Sequence, residues 1–275
     1  MLKHTFIHIN GIGLKSERLL WEKGVHSPAD IKKPYPEDLP PKILKLINNT
    51  PASSPTPREM AELLSPSQYW RLFPYFRAKT AYLDIETYGH HRDELIITTV
   101  ALYDGKTVST YVNGENLEQF IDDIAVYENI VTYNGKGFDI PILAEKLGVR
   151  FDQVHMDLRY LLNGIGVVGG LKECERQMGI DRGDLDGVNG YGAVILWAEY
   201  RRTGDKRLLE TLLAYNVQDV VNLEPLMVQV YNQNLRGTPF EESHAMPLPE
   251  EPVLPFRADM EITEKLRSFL TRGII

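Results

Sequence analysis

Three β-rich runs crowd the stretch before the first amphipathic helix of the central block: TAYLDIET from Thr80, ELIITTVALY from Glu94 and KTVSTYVN from Lys106. The last two flank Asp104-Gly105, a dipeptide that supplies the positive φ of a tight hairpin turn. Three strands in immediate succession commit that end of the block to antiparallel pairing, because a parallel connection needs a crossover of a dozen residues or more. Beyond Asn113 the alternation changes. Leu117 to Tyr127 carries Leu117, Phe120, Ile121 and Ile124 at helical spacing. NIVTYN is a short buried strand, Phe138 to Leu147 a helix ending at Gly148, and VHMDLRYLL a strand passing into a helix. Leu171 to Met178, Ala193 to Arg201 and Lys206 to Val221 read as further helices. The pattern predicts an α/β fold: a mixed sheet of three antiparallel strands and then parallel strands, flanked by helices.

Composition punctuates the chain on either side of this block. Asn48 to Arg58 reads NNTPASSPTPR, and residues 237–255 are rich in Pro and Glu. The expected division is a small helical element over 1–47, a linker over 48–78, the α/β domain over 79–236, and a tail with a short helix over 237–275. No apolar run approaches the ~20 residues that span a bilayer, and the first residues lack the core of a signal peptide. Cys174 is the only cysteine, which excludes an intrachain disulfide and suits a reducing cytoplasm. Net charge is −8, yet residues 1–47 carry +3 and the remainder −11. Bulk attraction for a polyanion is therefore excluded, and carboxylates that hold cations become the natural place to look for chemistry.

Three groups of carboxylates stand out. Asp84 and Glu86 flank Ile85 on the first strand and so share one face of it. Asp139 ends Asn134-Gly-Lys-Gly-Phe-Asp, after a strand and at a helix start, where the helix dipole favours an anion. Tyr215 and Asp219 lie four apart on the helix Lys206 to Val221 and therefore on one side of it. Each group alone also fits a structural role: solvated acids at a strand end, an acid stabilising a helix start, a tyrosine packed beside a polar neighbour.

Taken in order, these motifs resemble those of the DEDD superfamily of exonucleases, in the variant with tyrosine in the last motif. The resemblance covers roughly Thr80 to Gln233. It implies a ribonuclease-H-like fold, a 3′–5′ exonuclease that hydrolyses phosphodiester bonds of DNA or RNA, and two ions of Mg²⁺ or Mn²⁺ held by Asp84, Glu86, Asp139 and Asp219. On this reading Tyr215 orients the attacking water. Lys172, at a helix start, corresponds to a lysine near the strand path, or is a solvated helix lysine. Asn134 and Asn216 would brace the site, His90 and His91 are loop residues, and Tyr191 is a packing aromatic.

The segment FIHINGIGLKSERLLWEKGV, from Phe6 to Val25, resembles a helix-hairpin-helix motif. In that family Gly11 and Gly13 would let backbone N–H groups approach a phosphate, with Lys15 adding charge. Two other activities share the same residues: an inactive nucleic-acid-binding scaffold and a structure-specific endonuclease. The four acids speak against the scaffold.

Overall fold

The computed structural model describes residues 1–30, 39–48, 55–89, 91–185 and 187–272. Five strands form one sheet: β1 (Thr80–Tyr88), β2 (Ile96–Tyr103), β3 (Val108–Val112), β4 (Asn129–Thr132) and β5 (Val154–Asp157). Their spatial order is β3-β2-β1-β4-β5. β1 pairs antiparallel with β2 and parallel with β4, β2 pairs antiparallel with β3, and β4 pairs parallel with β5. This is the mixed sheet expected from the sequence, in the ribonuclease-H-like order. The hairpin turns at Asp104-Gly105, where Gly105 has φ +90° and the Asp104 carboxylate accepts from the N–H groups of Lys106 and Thr107. Between β1 and β2 the register slips: Glu86 faces Thr99 but Thr87 faces Ile97, leaving Thr98 as a buried bulge residue.

Helices follow the chain as α1 (Leu14–Glu22), α2 (Pro41–Asn48), α3 (Pro57–Leu63) and α4 (Phe73–Phe76) before the sheet. Within and after it come α5 (Phe120–Ile124), α6 (Asp139–Leu147), α7 (Leu158–Gly164), α8 (Leu171–Gln177), α9 (Gly190–Thr203) and α10 (Lys206–Val221). The last are α11 (Leu223–Leu235), α12 (Glu241–His244) and α13 (Met260–Arg272). Alternation along β1 divides the interior in two. Ala81, Leu83 and Ile85 meet Phe120 and Ile124 of α5 and Ile142 and Leu143 of α6 on one side of the sheet. Tyr82 faces the other side, with Val217, Val220 and Leu226 of α10 and α11 and Leu161 and Leu162 of α7.

The expected linker over 48–78 is not one where the structure describes it; residues 49–54 lie outside the described residues. Thr56 and Glu59 form a reciprocal capping box with Pro57 in the first turn of α3. A 3₁₀ segment (Pro66–Leu72) and α4 then bury Trp70, Leu72, Phe73 and Phe76. Their apolar bulk outweighs the Pro and Ser content. The N-terminal element also departs from a full helix-hairpin-helix. Only a three-residue 3₁₀ turn, Leu2–His4, precedes the hairpin, and α1 comes after it. Phe6, Leu20 and Trp21 join the same core as Trp70, Phe73 and Tyr231.

A buried ion pair fixes this packing. Arg71 donates to Glu17 at 2.7 Å, with the two side chains 2% and 1% exposed. Glu17 also accepts from the Phe6 N–H at 2.7 Å, and the guanidinium lies over Trp21 and Trp70. Removing one partner strands the other charge in the core, which costs about 3–5 kcal/mol. Glu17→Ala should therefore lower the stability of the whole chain by that amount in urea unfolding, while Glu22→Ala, at an exposed position, changes it by less than about 0.5 kcal/mol. An unchanged midpoint for Glu17→Ala would mean that the N-terminal element is not integral to the core.

Candidate active site

Asp84 and Glu86 emerge on the face of β1 opposite Ile85, where the strand leaves the core. On that face α10 lies across β1 and β2. The helix is placed by its start: Gly204 ends α9 with φ +73°, and the Asp205 carboxylate caps α10 by accepting from the Arg207 N–H at 3.0 Å. Asp219 then comes opposite the strand acids. Asp84, Glu86 and Asp219 each offer a carboxylate oxygen, and the three atoms lie within 4.8 Å of one another. Oxygens around one octahedral Mg²⁺ stand about 3–4 Å apart, so a small inward movement makes this hard-oxygen set fit the ion. The three also lack the nitrogen or sulfur ligands that zinc prefers.

Asp139 arrives from the other layer. It opens α6, and its Oδ1 accepts from the backbone N–H of Ile85 at 3.2 Å, between the two strand acids. The loop before it is held by a buried acid that sequence reasoning passed over. Asp157, at the end of β5, accepts from the N–H groups of Asn134 and Lys136 at 2.8 and 3.0 Å and caps α7 through the Arg159 N–H. Gly135 packs so tightly on the Thr132 side chain that a Cβ has no room there.

Two neutral side chains steady Asp84. Asn216 donates to Asp84 Oδ2 at 2.7 Å and accepts from the Thr99 hydroxyl at 2.9 Å. Asn216 thus braces the site as expected. Asn134 does not touch the acids: it adopts φ +64°, and its side-chain oxygen accepts from Arg159 at 2.6 Å. Tyr215, 3% exposed, lies one turn before Asp219. The Lys172 ammonium lies 4.5 Å from the centre of its ring and donates to the Val188 carbonyl, so this lysine is committed beside Tyr215 and is not a freely solvated helix residue. Tyr191, expected to pack, is 60% exposed in the first turn of α9. His91 is exposed in a loop and His90 lies outside the described residues. Gly11, Gly13 and Lys15 are exposed on the N-terminal element, with Gly13 at the N-cap of α1.

Arg182 is the site residue with no forewarning in the sequence. Almost fully buried, it donates to Asp219 Oδ1 with one nitrogen and to Glu175 at 2.6 Å with another. Its loop, DRGDLD, reads as solvated turn, and only burial of Glu175 by the fold makes it otherwise.

Burial, and then the neighbouring acids, push the carboxyls of Asp84 and Glu86 well above the ordinary carboxylate range. Burial likewise pushes Asp139 up to about 7. The Tyr215 hydroxyl is driven far above its usual value by burial first, then by Asp219 and Glu86. Burial brings Lys172 down to about 8 against the pull of Asp219. The sign for Asp139 is set by its raised folded value. The folded protein keeps a proton that the unfolded chain releases above about 4, so folding loses stability as pH rises from there to about 7. In EDTA, urea unfolding should show the wild type losing stability relative to Asp139→Asn across that window. A difference that is flat or grows with pH contradicts the burial of this carboxyl.

No curated protein matches the chain. Among solved structures, a family B DNA polymerase from the hyperthermophilic archaeon Pyrobaculum calidifontis is similar to it, at 17% identity and a TM-score of 0.43. That match covers 61% of this chain and 27% of the polymerase, so the chain spans well under two thirds of its length. The RNase_H superfamily model matches residues 81–231. That span runs from the first strand into α11, takes in every acid of the cluster together with Tyr215, and covers more than half of the 275 residues: the chain belongs to the RNase_H superfamily.

Proposed function

We propose that the protein is a metal-dependent 3′–5′ exonuclease of the DEDD type with a catalytic tyrosine, acting on DNA or RNA. The observation that carries this reading is the convergence of Asp84, Glu86 and Asp219, with Asp139 bonded to the strand between the first two and Tyr215 one helical turn from Asp219. Asp84, Glu86, Asp139 and Asp219 would hold two divalent ions, Mg²⁺ or Mn²⁺, which when bound would supply positive charge at the phosphodiester. Asn216 keeps Asp84 in one orientation for that role. Burial and the neighbouring acids raise the Tyr215 hydroxyl above its ordinary value, which favours a hydroxyl that orients the attacking water over one that removes its proton. The 3′ oxygen of the penultimate nucleotide leaves, and a nucleoside 5′-monophosphate is released.

Oligonucleotides labelled at the 5′ end, as DNA and as RNA, test the reading with Mg²⁺, Mn²⁺ or EDTA. A ladder shortening from the 3′ end is expected with metal, and none with EDTA. One defined internal cut would establish an endonuclease, and no cleavage at all a binding scaffold. Within the active protein, Asp84→Asn and Asp219→Asn should abolish activity and weaken Mn²⁺ binding in calorimetry. Tyr215→Phe should lower the single-turnover rate by roughly 10–10³-fold with Mn²⁺ affinity nearly unchanged. Wild-type rates in any of the three would remove that residue from the mechanism.

The exposed hairpin at Gly11 and Gly13, with Lys15 beside it on α1, is proposed to hold the phosphate backbone away from the catalytic acids. Lys15→Ala should then lower the salt slope of duplex binding by about one unit while sparing cleavage of a short single strand. An unchanged slope assigns the element to packing alone.

A further inference from the structure

Arg182 lies in a buried chain of polar groups that begins and ends on α10. Gln218 donates to Asn222 at 2.9 Å, Asn222 donates to Glu175 Oε1 at 2.8 Å, and Arg182 donates to Glu175 Oε2 at 2.6 Å and to Asp219 Oδ1. Glu175 is fully buried, with both oxygens occupied. Such an acid is costly unless paired, and it contributes nothing to the metal-ligand set. What it does is hold a guanidinium at a fixed place and cancel its charge. Because the Glu175–Arg182 pair sums to zero, the guanidinium adds no net positive charge beside the four acids that would hold the ions.

The two acids supported by side chains are treated differently. Asp84 receives a neutral donor, Asn216, and Asp219 receives a cation. A guanidinium offers several donors in a rigid fork, so one arginine can bond two carboxylates in a set orientation, which a lysine cannot do. Among the described residues Oδ1 of Asp219 carries a hydrogen bond, from Arg182, and Oδ2 carries none and stays available to an ion.

We propose that Arg182 is a positioning residue that, anchored by Glu175, turns the Asp219 carboxylate toward Asp84 and Glu86 and so preorganises the metal site; this rests on the nuclease reading above. The opposite role is also physically possible for a cation in this place: a plug that occupies Asp219 and must be expelled by the ions. The two differ in sign. Loss of an orienting group around a metal ligand typically weakens metal binding by 10–100-fold, whereas loss of a plug tightens it.

The test is Mn²⁺ calorimetry on the full-length protein, with melting temperature and circular dichroism to confirm folding. Arg182→Lys keeps the charge and loses the fork. Glu175→Gln/Arg182→Met removes the pair with no change in net charge, spares the core an unpaired Glu175, and takes from Asp219 only the donor under test. Both are expected to bind Mn²⁺ 10–100-fold more weakly, and excess Mn²⁺ should recover part of their cleavage rate but none of that of Asp219→Asn. Wild-type or tighter Mn²⁺ binding in either folded variant overturns the proposal and leaves the nuclease reading intact. Wild-type protein that binds no Mn²⁺ overturns both. A wild-type crystal structure grown with Mn²⁺ decides the matter even where a variant fails to fold: Arg182 stays bonded to Asp219 if it positions it, and its departure refutes the role.

Discussion

Four carboxylates drawn together where a strand leaves the core repel one another, and burial raises the cost of keeping them charged. Much of the surrounding structure answers that one difficulty. Each acid is attached to an element anchored elsewhere: β1 by Leu83 and Ile85, α6 by Ile142 and Leu143, α10 by Val217 and Val220. Donors then meet three of the four. The Ile85 N–H serves Asp139, Asn216 serves Asp84, and Arg182 serves Asp219. Packing supplies the stability that the acids subtract, so the site exists only because the layers on both sides of the sheet hold it closed.

The layer beneath α10 and α11 draws on distant sequence. Residues from Phe6, Trp21, Trp70 and Phe76 share one apolar cluster with Val217, Leu226 and Tyr231. The N-terminal element is therefore part of the wall behind the face that carries the acids. Whatever its exposed hairpin contacts is presented at a set distance and angle from the acids, because Glu17 and Arg71 tie α1 to the segment that leads into β1.

Much of the fold was legible because local signals agreed with one another. Strand alternation at Asp84-Ile85-Glu86 and the Asp104-Gly105 turn each name their own geometry. The helix expected over Lys206 to Val221 has those same ends in the structure. The signal failed where composition and capping disagreed. Pro and Ser around Thr56 suggested a linker, although Thr56 and Glu59 already spelled a capping box. In the site, spacing set the acids and Tyr215 on shared faces of a strand and a helix, and the resemblance to the exonuclease motifs joined them into one site. Arg182, Glu175 and Asp157 were not legible, since an arginine in a Gly/Asp loop, a glutamate in a charged helix and an acid at a strand end look solvated until the fold removes the water. Asn134 erred the other way: its motif position suggested the site, and its left-handed backbone shows a turn.

The bulge opposite Glu86 has a meaning of its own for how such a chain can change length. On β2, Val100 and Leu102 point into the cluster shared with α5 and α6, and so does Ile97, although Thr98 and Thr99 intervene. Thr98 is thus one residue of slack. Excising it would leave every neighbouring side chain facing the way it faces now, and would remove the bond its carbonyl accepts from the Asn113 N–H at 2.9 Å and the extra right-handed twist that a bulge imparts. The inside–outside code of the strand tolerates the loss of a codon here. The aim of Glu86 does not, and that is where selection on the length of this strand would fall.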